Sequence, residues 1–376
     1  MRVPSQNRYG SIDGLRGLAA ISVVCFHFVG HIGSELEQLL PQFIITCFYH
    51  GYLGVPVFFV ISGFVISLSI GSRNIDRSYV GQFLLRRSVR LDLLYWATIF
   101  VGLCLLLFQS EVLGYKEEVP SPAVILLHMF YLQDLLSAEP ILSVIYWTLC
   151  LEVQLYLFYL LLVWFSQRIC PNNSSFFSVS TMLILGIYSI CLNLNVATLS
   201  INGLFLPMWH YFLMGVLASN VVRGVKYSNL IFVAWIIIEI LMQAFFHAKL
   251  YIIAGILCSS LIVFLWQFNY LNVFLTGTIF SYLGAISYPL YLIHTEIGWK
   301  VISFGKLIID DQMTPLLSGL VFIIGVIASI FSAHLLHVVL EKPSLKLCHL
   351  LKTKPFSESL ACLFKSYKTT NSIAVN

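Results

Sequence analysis

The first apolar stretch of the sequence contains two residues whose side chains could carry out chemistry, Arg16 and His27. Eleven residues of helix separate them by about 16 Å and about three turns, so the two side chains share one helical face. A neutral imidazole accepts a proton well near pH 7, which is what an attacking hydroxyl group needs from a base. A structural role stays open, with an arginine that snorkels to the helix end and a histidine that only satisfies a buried hydrogen bond.

The next two apolar stretches contain further polar residues. Ser62 and Gly63 lie in the run Phe-Phe-Val-Ile-Ser-Gly-Phe, where small residues permit close approach of two helices. Arg87 and Arg90 are three residues apart, hence neighbours on a helix, and two guanidinium groups can bind phosphate oxygens. Packing alone could explain the first pair, and an ordinary cytoplasmic cluster of basic residues could explain the second.

The fourth and ninth apolar stretches carry ionisable side chains that a membrane tolerates poorly. Glu152 follows Trp-Thr-Leu-Cys-Leu and needs a partner such as a histidine, an arginine or a hydroxyl group. Tyr288 and His294 lie in the run Ile-Ser-Tyr-Pro-Leu-Tyr-Leu-Ile-His. Glu239, in the seventh stretch, has no role that its spacing predicts.

The composition indicates that these residues lie in helices surrounded by a lipid bilayer rather than by water. Of 376 residues, 59% are hydrophobic and only 10% are charged, against about 25% charged in soluble domains. Apolar stretches of about 20 residues recur along the chain, as in helices that cross a bilayer. The net charge of +4 does not indicate nucleic-acid binding, and the nine scattered cysteines indicate neither a disulfide framework nor a metal site.

The sequence therefore predicts an all-α, polytopic membrane protein with about ten transmembrane helices. A cytoplasmic N-terminus places 17 of the 21 lysines and arginines inside, which favours both termini in the cytoplasm. Residues 1–343 then form one membrane domain, and residues 344–376 form a basic cytoplasmic tail. A shorter apolar stretch, 123–136, is predicted to be re-entrant or interfacial. The predicted spans are 15–33, 52–70, 92–109, 147–165, 177–193, 204–221, 230–246, 250–268, 279–299 and 316–340.

Taken in order, these motifs resemble those of the acyltransferase-3 family, bacterial membrane proteins with ten spans that O-acylate polysaccharides, lipid-linked sugars and some antibiotics. The resemblance runs over residues 8–343, from Asp-Gly-Leu-Arg-Gly and the Arg-x10-His pair to a closing Glu-x-Pro. It implies acyl-coenzyme A as a cytoplasmic donor, and no permanently bound cofactor. It is closest to stand-alone members, which lack a C-terminal hydrolase-like domain. Thr148 replaces the usual Ser, and Val153-Gln154 replaces the common Glu-Gln pair, which weakens any role for a second acid.

Within this resemblance each polar residue has an expected role. His27 is predicted to be the general base, and Glu152 to orient or charge-balance a histidine, as a carboxylate does in catalytic triads. The predicted donor-binding residues are Arg87 and Arg90 for the phosphates and Arg16 for the thioester or pantetheine arm. Residues with a second-tier role in acceptor binding or in the core are Ser62, Tyr288 and His294. Direct transfer is the simpler scheme, although Ser62 or a histidine could carry a covalent acyl group.

We expect an acetyl group as the transferred acyl group and a sugar of O-antigen or exopolysaccharide, lipid-linked or at the cell surface, as the acceptor. An antibiotic or peptidoglycan acceptor is an alternative. The expected location is the bacterial cytoplasmic (inner) membrane. The rival from another class is a transporter or flippase of a glycan intermediate, because intramembrane Arg, His and Glu also build transport pathways. A non-catalytic scaffold is a third possibility, but it would have no reason to carry so many polar groups in its spans.

Overall fold

A computed structural model describes residues 9–113, 119–246, 250–309 and 313–351. Helices and connecting turns make up these ranges, and no strand occurs in them. The prediction of an all-α, polytopic membrane protein is confirmed. Over the described residues the α-helices are α1 (Gly10–Ile32), α2 (Ser34–Leu39), α3 (Gln42–Tyr49), α4 (Gly54–Ile70), α5 (Arg77–Leu113), α6 (Pro122–Met129), α7 (Tyr146–Ile169), α8 (Ser174–Asn193), α9 (Trp209–Val222), α10 (Ser228–Phe246), α11 (Leu250–Gln267), α12 (Thr278–Ile293), α13 (Lys300–Ile309), α14 (Pro315–Leu336) and α15 (Lys342–Leu350).

All ten predicted spans are helical. Eight of the described helices are long and apolar enough to cross a membrane. The predicted sixth span is the shorter apolar helix Leu206–Val222, and the ninth is α12 with the π-helical segment that follows it. The stretch predicted to be re-entrant forms the short helix α6, with the Ser121 hydroxyl as its N-cap, followed by irregular chain. Large apolar side chains cover the outward surfaces of the bundle, as hydrocarbon contact requires; on α14 they include Ile323, Ile324, Ile327 and Phe331.

Helix α9 lies at the centre of one half of the bundle, and nearly all of its residues are buried. It packs against α4 through two interlocking glycines. A Cβ atom on Gly63 would lie 2.0 Å from the Phe212 carbonyl oxygen, and one on Gly215 would lie 1.9 Å from the Val60 carbonyl oxygen. Small residues allow this contact because van der Waals packing, rather than hydrophobic burial, drives helix association in lipid. The glycine after Ser62 therefore has a packing role.

A second close contact joins α1 to α12 and to the residues just before it. A Cβ atom on Gly17 would lie 2.6 Å from the backbone nitrogen of Gly284, and one on Gly284 would lie 2.3 Å from the Asp13 carbonyl oxygen. A Cβ atom on Gly14 would lie 2.3 Å from the Leu275 carbonyl oxygen. The glycines of Asp-Gly-Leu-Arg-Gly thus fix the helix that carries Arg16 against the helix that leads to His294.

Two π-helical segments interrupt the C-terminal helices. His294–Trp299 joins α12 to α13, and His337–Glu341 joins α14 to α15. Such segments often occur at functional sites, because the extra residue redirects the side chains that follow it. The predicted domain boundary at residue 343 lies near the start of α15, where the Cys348 thiol donates to the Arg86 carbonyl oxygen at 3.2 Å. Residues 352–376 of the predicted tail lie outside the described ranges, so the domain division stays a prediction.

Candidate active site

Five helices contribute side chains to a cavity that we call the arginine cavity. Its walls hold three arginines and one glutamate, so the formal charge of the lining is positive. Its empty space, counted together with its open mouth, is about 400 Å³. The residues that line it are Arg16, Ile61, Ser62, Val65, Ile66, Arg87, Arg90, Leu91, Glu152, Tyr156 and Tyr288. Residues predicted from four separate motifs, and the two arginines of a fifth, therefore meet at one place.

A short hydrogen-bonded chain of side chains crosses this cavity. The Ser62 hydroxyl donates to Glu152 Oε1 at 2.7 Å, and the Tyr156 hydroxyl donates to Ser62 Oγ at 3.3 Å. Glu152 therefore has a hydroxyl partner and lies among the arginines. The predicted role of Glu152 in orienting a histidine is untested and stays a prediction.

Aromatic rings position the basic side chains of the cavity. The Arg87 guanidinium carbon lies 4.9 Å from the centre of the Tyr156 ring and 5.5 Å from that of Phe83. Such cation–π contacts hold a guanidinium group in place without neutralising its charge. The Tyr288 hydroxyl donates to the Leu91 carbonyl oxygen at 3.1 Å, which ties α12 to the arginine-bearing turn of α5. The Arg87 side chain is thus held in the cavity wall with its charge retained.

A second, more apolar cavity shares a wall with the first, and we call it the apolar channel. The two cavities have Arg16, Ser62, Glu152 and Tyr288 in common. The residues that line only the apolar channel are Val55, Phe58, Phe59, Thr148, Leu149, Ser287 and Tyr291. A continuous series of side chains therefore leads from the arginines to Tyr291.

Next to Tyr291 lies a group of aromatic rings that contain nitrogen, formed by His27, His294 and Trp299, which we call the histidine cluster. The His294 ring centre is 6.0 Å from that of Tyr291 and 5.3 Å from that of His27. The Trp299 ring centre is 5.8 Å from that of His27. His27 is partly exposed, whereas His294 is fully buried.

The tautomer of His294 follows from its hydrogen bonds. Its Nδ1 lies 2.8 Å from the carbonyl oxygen of Tyr291 and 3.2 Å from that of Leu290. Because carbonyl oxygens only accept, Nδ1 carries a proton, and Nε2 of the neutral ring is an acceptor. Among the described residues, this buried Nε2 has no hydrogen-bond partner.

The sequence-predicted residues thus divide into two neighbouring groups. The arginine cavity holds Arg16, Ser62, Arg87, Arg90, Glu152 and Tyr288. The histidine cluster holds His27 and His294. Sequence reasoning missed Tyr156, Tyr291 and Trp299. Tyr156 follows Glu152 by one helical turn and Tyr291 lies inside a quoted motif, so spacing offered a signal for both.

Two other polar residues have structural partners outside the site. Gln154 donates to the Gly203 carbonyl oxygen at 2.8 Å and accepts from the Phe205 amide at 3.1 Å, so it holds the segment before α9. Glu239, unexplained from the sequence, lies 3.1 Å from His210 Nδ1 through its Oε1 atom, and both side chains are fully buried. Within the described ranges, no group of three or more His, Cys, Asp or Glu side chains is arranged to hold a metal ion.

Comparison with known families identifies one that matches most of the chain. The acyltransferase-3 family model, described as an acyltransferase domain, matches residues 9–334. Neither the curated proteins nor the solved structures that were compared include a match. The family match covers most of the 376 residues and every predicted site residue. This chain therefore belongs to the acyltransferase-3 family and is a multi-pass membrane acyltransferase.

Proposed function

We propose that the protein transfers an acyl group, most simply acetyl, from acyl-coenzyme A to a sugar hydroxyl of a surface polysaccharide such as O-antigen or exopolysaccharide. The observation that carries this proposal is the sequence of environments along one path. The basic arginine cavity shares a wall with the apolar channel. Tyr291 lines the apolar channel, and its ring centre lies 6.0 Å from that of His294, which in turn lies 5.3 Å from that of His27. Acyl-coenzyme A has matching parts in the same order: anionic phosphates, a long pantetheine arm and a reactive thioester.

The donor end of the path is the arginine cavity. Arg87 and Arg90 are assigned to the phosphates of coenzyme A, because guanidinium groups form charge-assisted hydrogen bonds with phosphate oxygens. Arg16 lines both cavities and is assigned to the pantetheine arm where it enters the apolar channel. Glu152 lies among these arginines and holds Ser62, so its proposed role here is to balance their charge.

The chemical step is assigned to His27. It accepts the proton of the attacking hydroxyl as the oxygen forms a bond to the acyl carbon and the carbon–sulfur bond breaks. His27 then returns the proton to the leaving thiolate, so coenzyme A departs as the thiol. Its partial exposure supports this choice over His294, which is fully buried and held by backbone carbonyl groups. His294 is assigned a structural role, in which it packs beside His27 and holds the His27 ring in position.

A covalent intermediate on Ser62 is the rival chemical scheme. The hydrogen bond from the Ser62 hydroxyl to Glu152 gives this hydroxyl a neighbouring proton acceptor, as nucleophilic catalysis requires. Incubation with labelled acyl-coenzyme A and no acceptor, followed by denaturation, separates the schemes. Direct transfer leaves the protein unlabelled, and an acyl-enzyme leaves the label on a peptide that contains Ser62.

The proposed location is the bacterial inner membrane, with both termini and the arginine cavity on the cytoplasmic side, where acyl-coenzyme A is made. The distribution of basic residues supports this orientation. Cysteine labelling tests it in a variant without the native cysteines. Leu136 and Asn74 are both exposed. We expect Leu136→Cys to react with an impermeant maleimide from outside and Asn74→Cys to react only after the membrane is opened; the reverse pattern contradicts the proposal.

The function itself is tested with purified protein in detergent, acetyl-coenzyme A labelled in the acetyl group, and de-O-acetylated bacterial polysaccharide. We expect label in the polysaccharide that mild alkali releases, as it releases an ester. A transporter or flippase neither consumes acetyl-coenzyme A nor labels the glycan, so an inactive, folded protein would favour that class. Label that enters only a peptidoglycan fragment or an antibiotic would change the acceptor and leave the donor assignment standing.

A further inference from the structure

Trp299 is the last residue of the π-helical segment His294–Trp299 and faces the proposed base. Its ring centre lies 5.8 Å from that of His27 and 5.1 Å from that of His31. His31 is held in turn by Ser303, whose Oγ lies 2.8 Å from His31 Nε2. The indole is therefore fixed between two histidines that belong to one face of α1.

The indole N–H of Trp299 is buried, yet it has no hydrogen-bond partner among the described residues. A buried donor without a partner costs about 1 to 3 kcal/mol. A tryptophan that only anchors a helix at the membrane surface keeps its N–H at the polar boundary. The donor at Trp299 instead lies in the histidine cluster, where the Trp299 ring adjoins His27 and His27 adjoins His294, whose buried Nε2 also has no partner among the described residues. A ligand rich in hydroxyl groups would satisfy both atoms, because a hydroxyl donates and accepts.

We infer that Trp299 is a positioning residue for the acceptor sugar. Its Nε1–H donates to an acceptor oxygen that is next to the reacting hydroxyl, while His27 accepts the proton of the reacting hydroxyl itself. The ring centres of Trp299 and His27 are 5.8 Å apart, so one sugar ring can present an oxygen to each of them. The proposed substrate class is a sugar with a second oxygen substituent next to the reacting hydroxyl, and Trp299 selects which of the two receives the acyl group. This inference rests on the proposed function, because it uses His27 as the base.

The test compares Trp299→Phe, which keeps an aromatic ring and removes the N–H donor, with Trp299→Leu, which removes both. Trp266→Phe is the matched control, because Trp266 is exposed on α11 and does not contact the histidine cluster. The assay uses acetyl-coenzyme A and de-O-acetylated polysaccharide, with NMR of the product to locate each ester. Hydrolysis of acetyl-coenzyme A without acceptor is measured in parallel, together with thermal unfolding in detergent.

We expect Trp299→Phe to raise the KM for polysaccharide by about tenfold, the factor that corresponds to one neutral hydrogen bond. Part of the ester should move to the neighbouring oxygen, while the KM for acetyl-coenzyme A stays within about twofold, a change of less than 0.5 kcal/mol. Trp299→Leu should raise the acceptor KM further, and Trp266→Phe should behave as the parent protein.

An unchanged acceptor KM with a single ester position in Trp299→Phe overturns the inference and leaves the proposed function standing. Failure of the parent protein to consume acetyl-coenzyme A overturns both.

Discussion

Two groups of the described residues, each with a fully buried histidine, differ in access. His210 and Glu239 form an enclosed pair between α9 and α10, with Nδ1 and Oε1 3.1 Å apart and the His210 ring 3.9 Å from that of Tyr211. His27 and His294 lie next to Tyr291, which lines the apolar channel, and His27 is partly exposed. His210 is therefore fully buried with a carboxylate partner, whereas His27 is partly accessible and connects through His294 to a residue in the channel wall.

This difference bears on which of the two groups is the better candidate for catalysis. Both clusters contain ionisable residues inside spans, which by composition alone makes each a functional candidate. Both also contain a buried nitrogen without a partner, on His210 and on His294. Of the two groups, His27 and His294 adjoin Tyr291, which lines the apolar channel, and that channel shares Arg16 with the arginine cavity. We therefore propose that proximity to a substrate path, rather than burial or polarity, distinguishes the active site.

The largest expected effect is on transfer by His27→Asn, which replaces the base with a polar side chain that cannot accept a proton near pH 7. A general base contributes about 100-fold to 10,000-fold, so the variant should lose nearly all transfer while it still binds acyl-coenzyme A. His210→Asn is the matched control from the enclosed pair and should keep its rate. Transfer by His27→Asn above about a tenth of the parent rate, at equal membrane abundance, is too fast for an essential base.

If His27→Asn transfers faster than this limit, His294→Asn becomes the next variant to measure. His294 has a free acceptor at Nε2 and belongs to the same cluster.

An intermediate effect is expected at the other end of the channel, for Arg87→Ala combined with Arg90→Ala. Each change deletes a charge-assisted phosphate contact worth about 1.5 to 3 kcal/mol, so donor affinity should fall by about 100-fold or more in the double variant. Acceptor affinity should hardly move. Calorimetry with a non-hydrolysable acyl-coenzyme A analogue measures the change, and Arg77→Ala, an exposed arginine on the same helix, is the control. Unchanged donor affinity in the folded double variant would mean that Arg87 and Arg90 do not bind the donor and only help to orient the protein in the membrane.

The smallest effect on activity is expected for Glu239→Ala, in the enclosed pair. This change leaves His210 Nδ1 without its partner, and a buried polar group without a partner costs about 1 to 3 kcal/mol of stability. Thermal unfolding in detergent should therefore move to lower temperature, while transfer at a permissive temperature stays within about twofold, under 0.5 kcal/mol. If Glu239→Ala loses transfer while its unfolding temperature is unchanged, the His210–Glu239 pair takes part in the reaction. The proposed difference between this pair and the His27–His294 pair would then be wrong.

The helices of this protein could be predicted from the sequence because hydropathy over about 20 residues reports the bilayer directly. Seven of the predicted spans coincide with a helix to within about five residues. The third differs because its helix α5 begins at Arg77, well before residue 92, and the ninth and tenth differ because helix continues through the π-helical segments to Ile309 and Leu350. The extension of α5 is polar and exposed at its start, so hydropathy does not report it. The convergence of Arg16, Arg87, Arg90 and Glu152 was also predictable in part, since each is costly to leave alone in a membrane.

The contacts between helices were not predictable in the same way. The pairing of Glu239 with His210 depends on the rotation of α10 against α9, which hydrophobic residues on all sides leave undefined. The position of Trp299 depends on a π-helical segment, and no sequence spacing predicts the extra residue in a π-helical turn. The partner of Glu152 was narrowed to a histidine, an arginine or a hydroxyl group, and only packing against α4 places it beside Ser62.

The most direct test of the account is the structure of the glycan made with and without this protein in one bacterial host. We predict that the parent protein adds one acetyl ester per repeat at a single hydroxyl, seen as the mass gain of one acetyl group and as a shift of one ring proton in the NMR spectrum. The His27→Asn protein, at equal abundance, should leave the glycan unmodified. A glycan that is identical in mass and NMR with and without the parent protein, or an ester that His27→Asn still adds in full, would contradict the account.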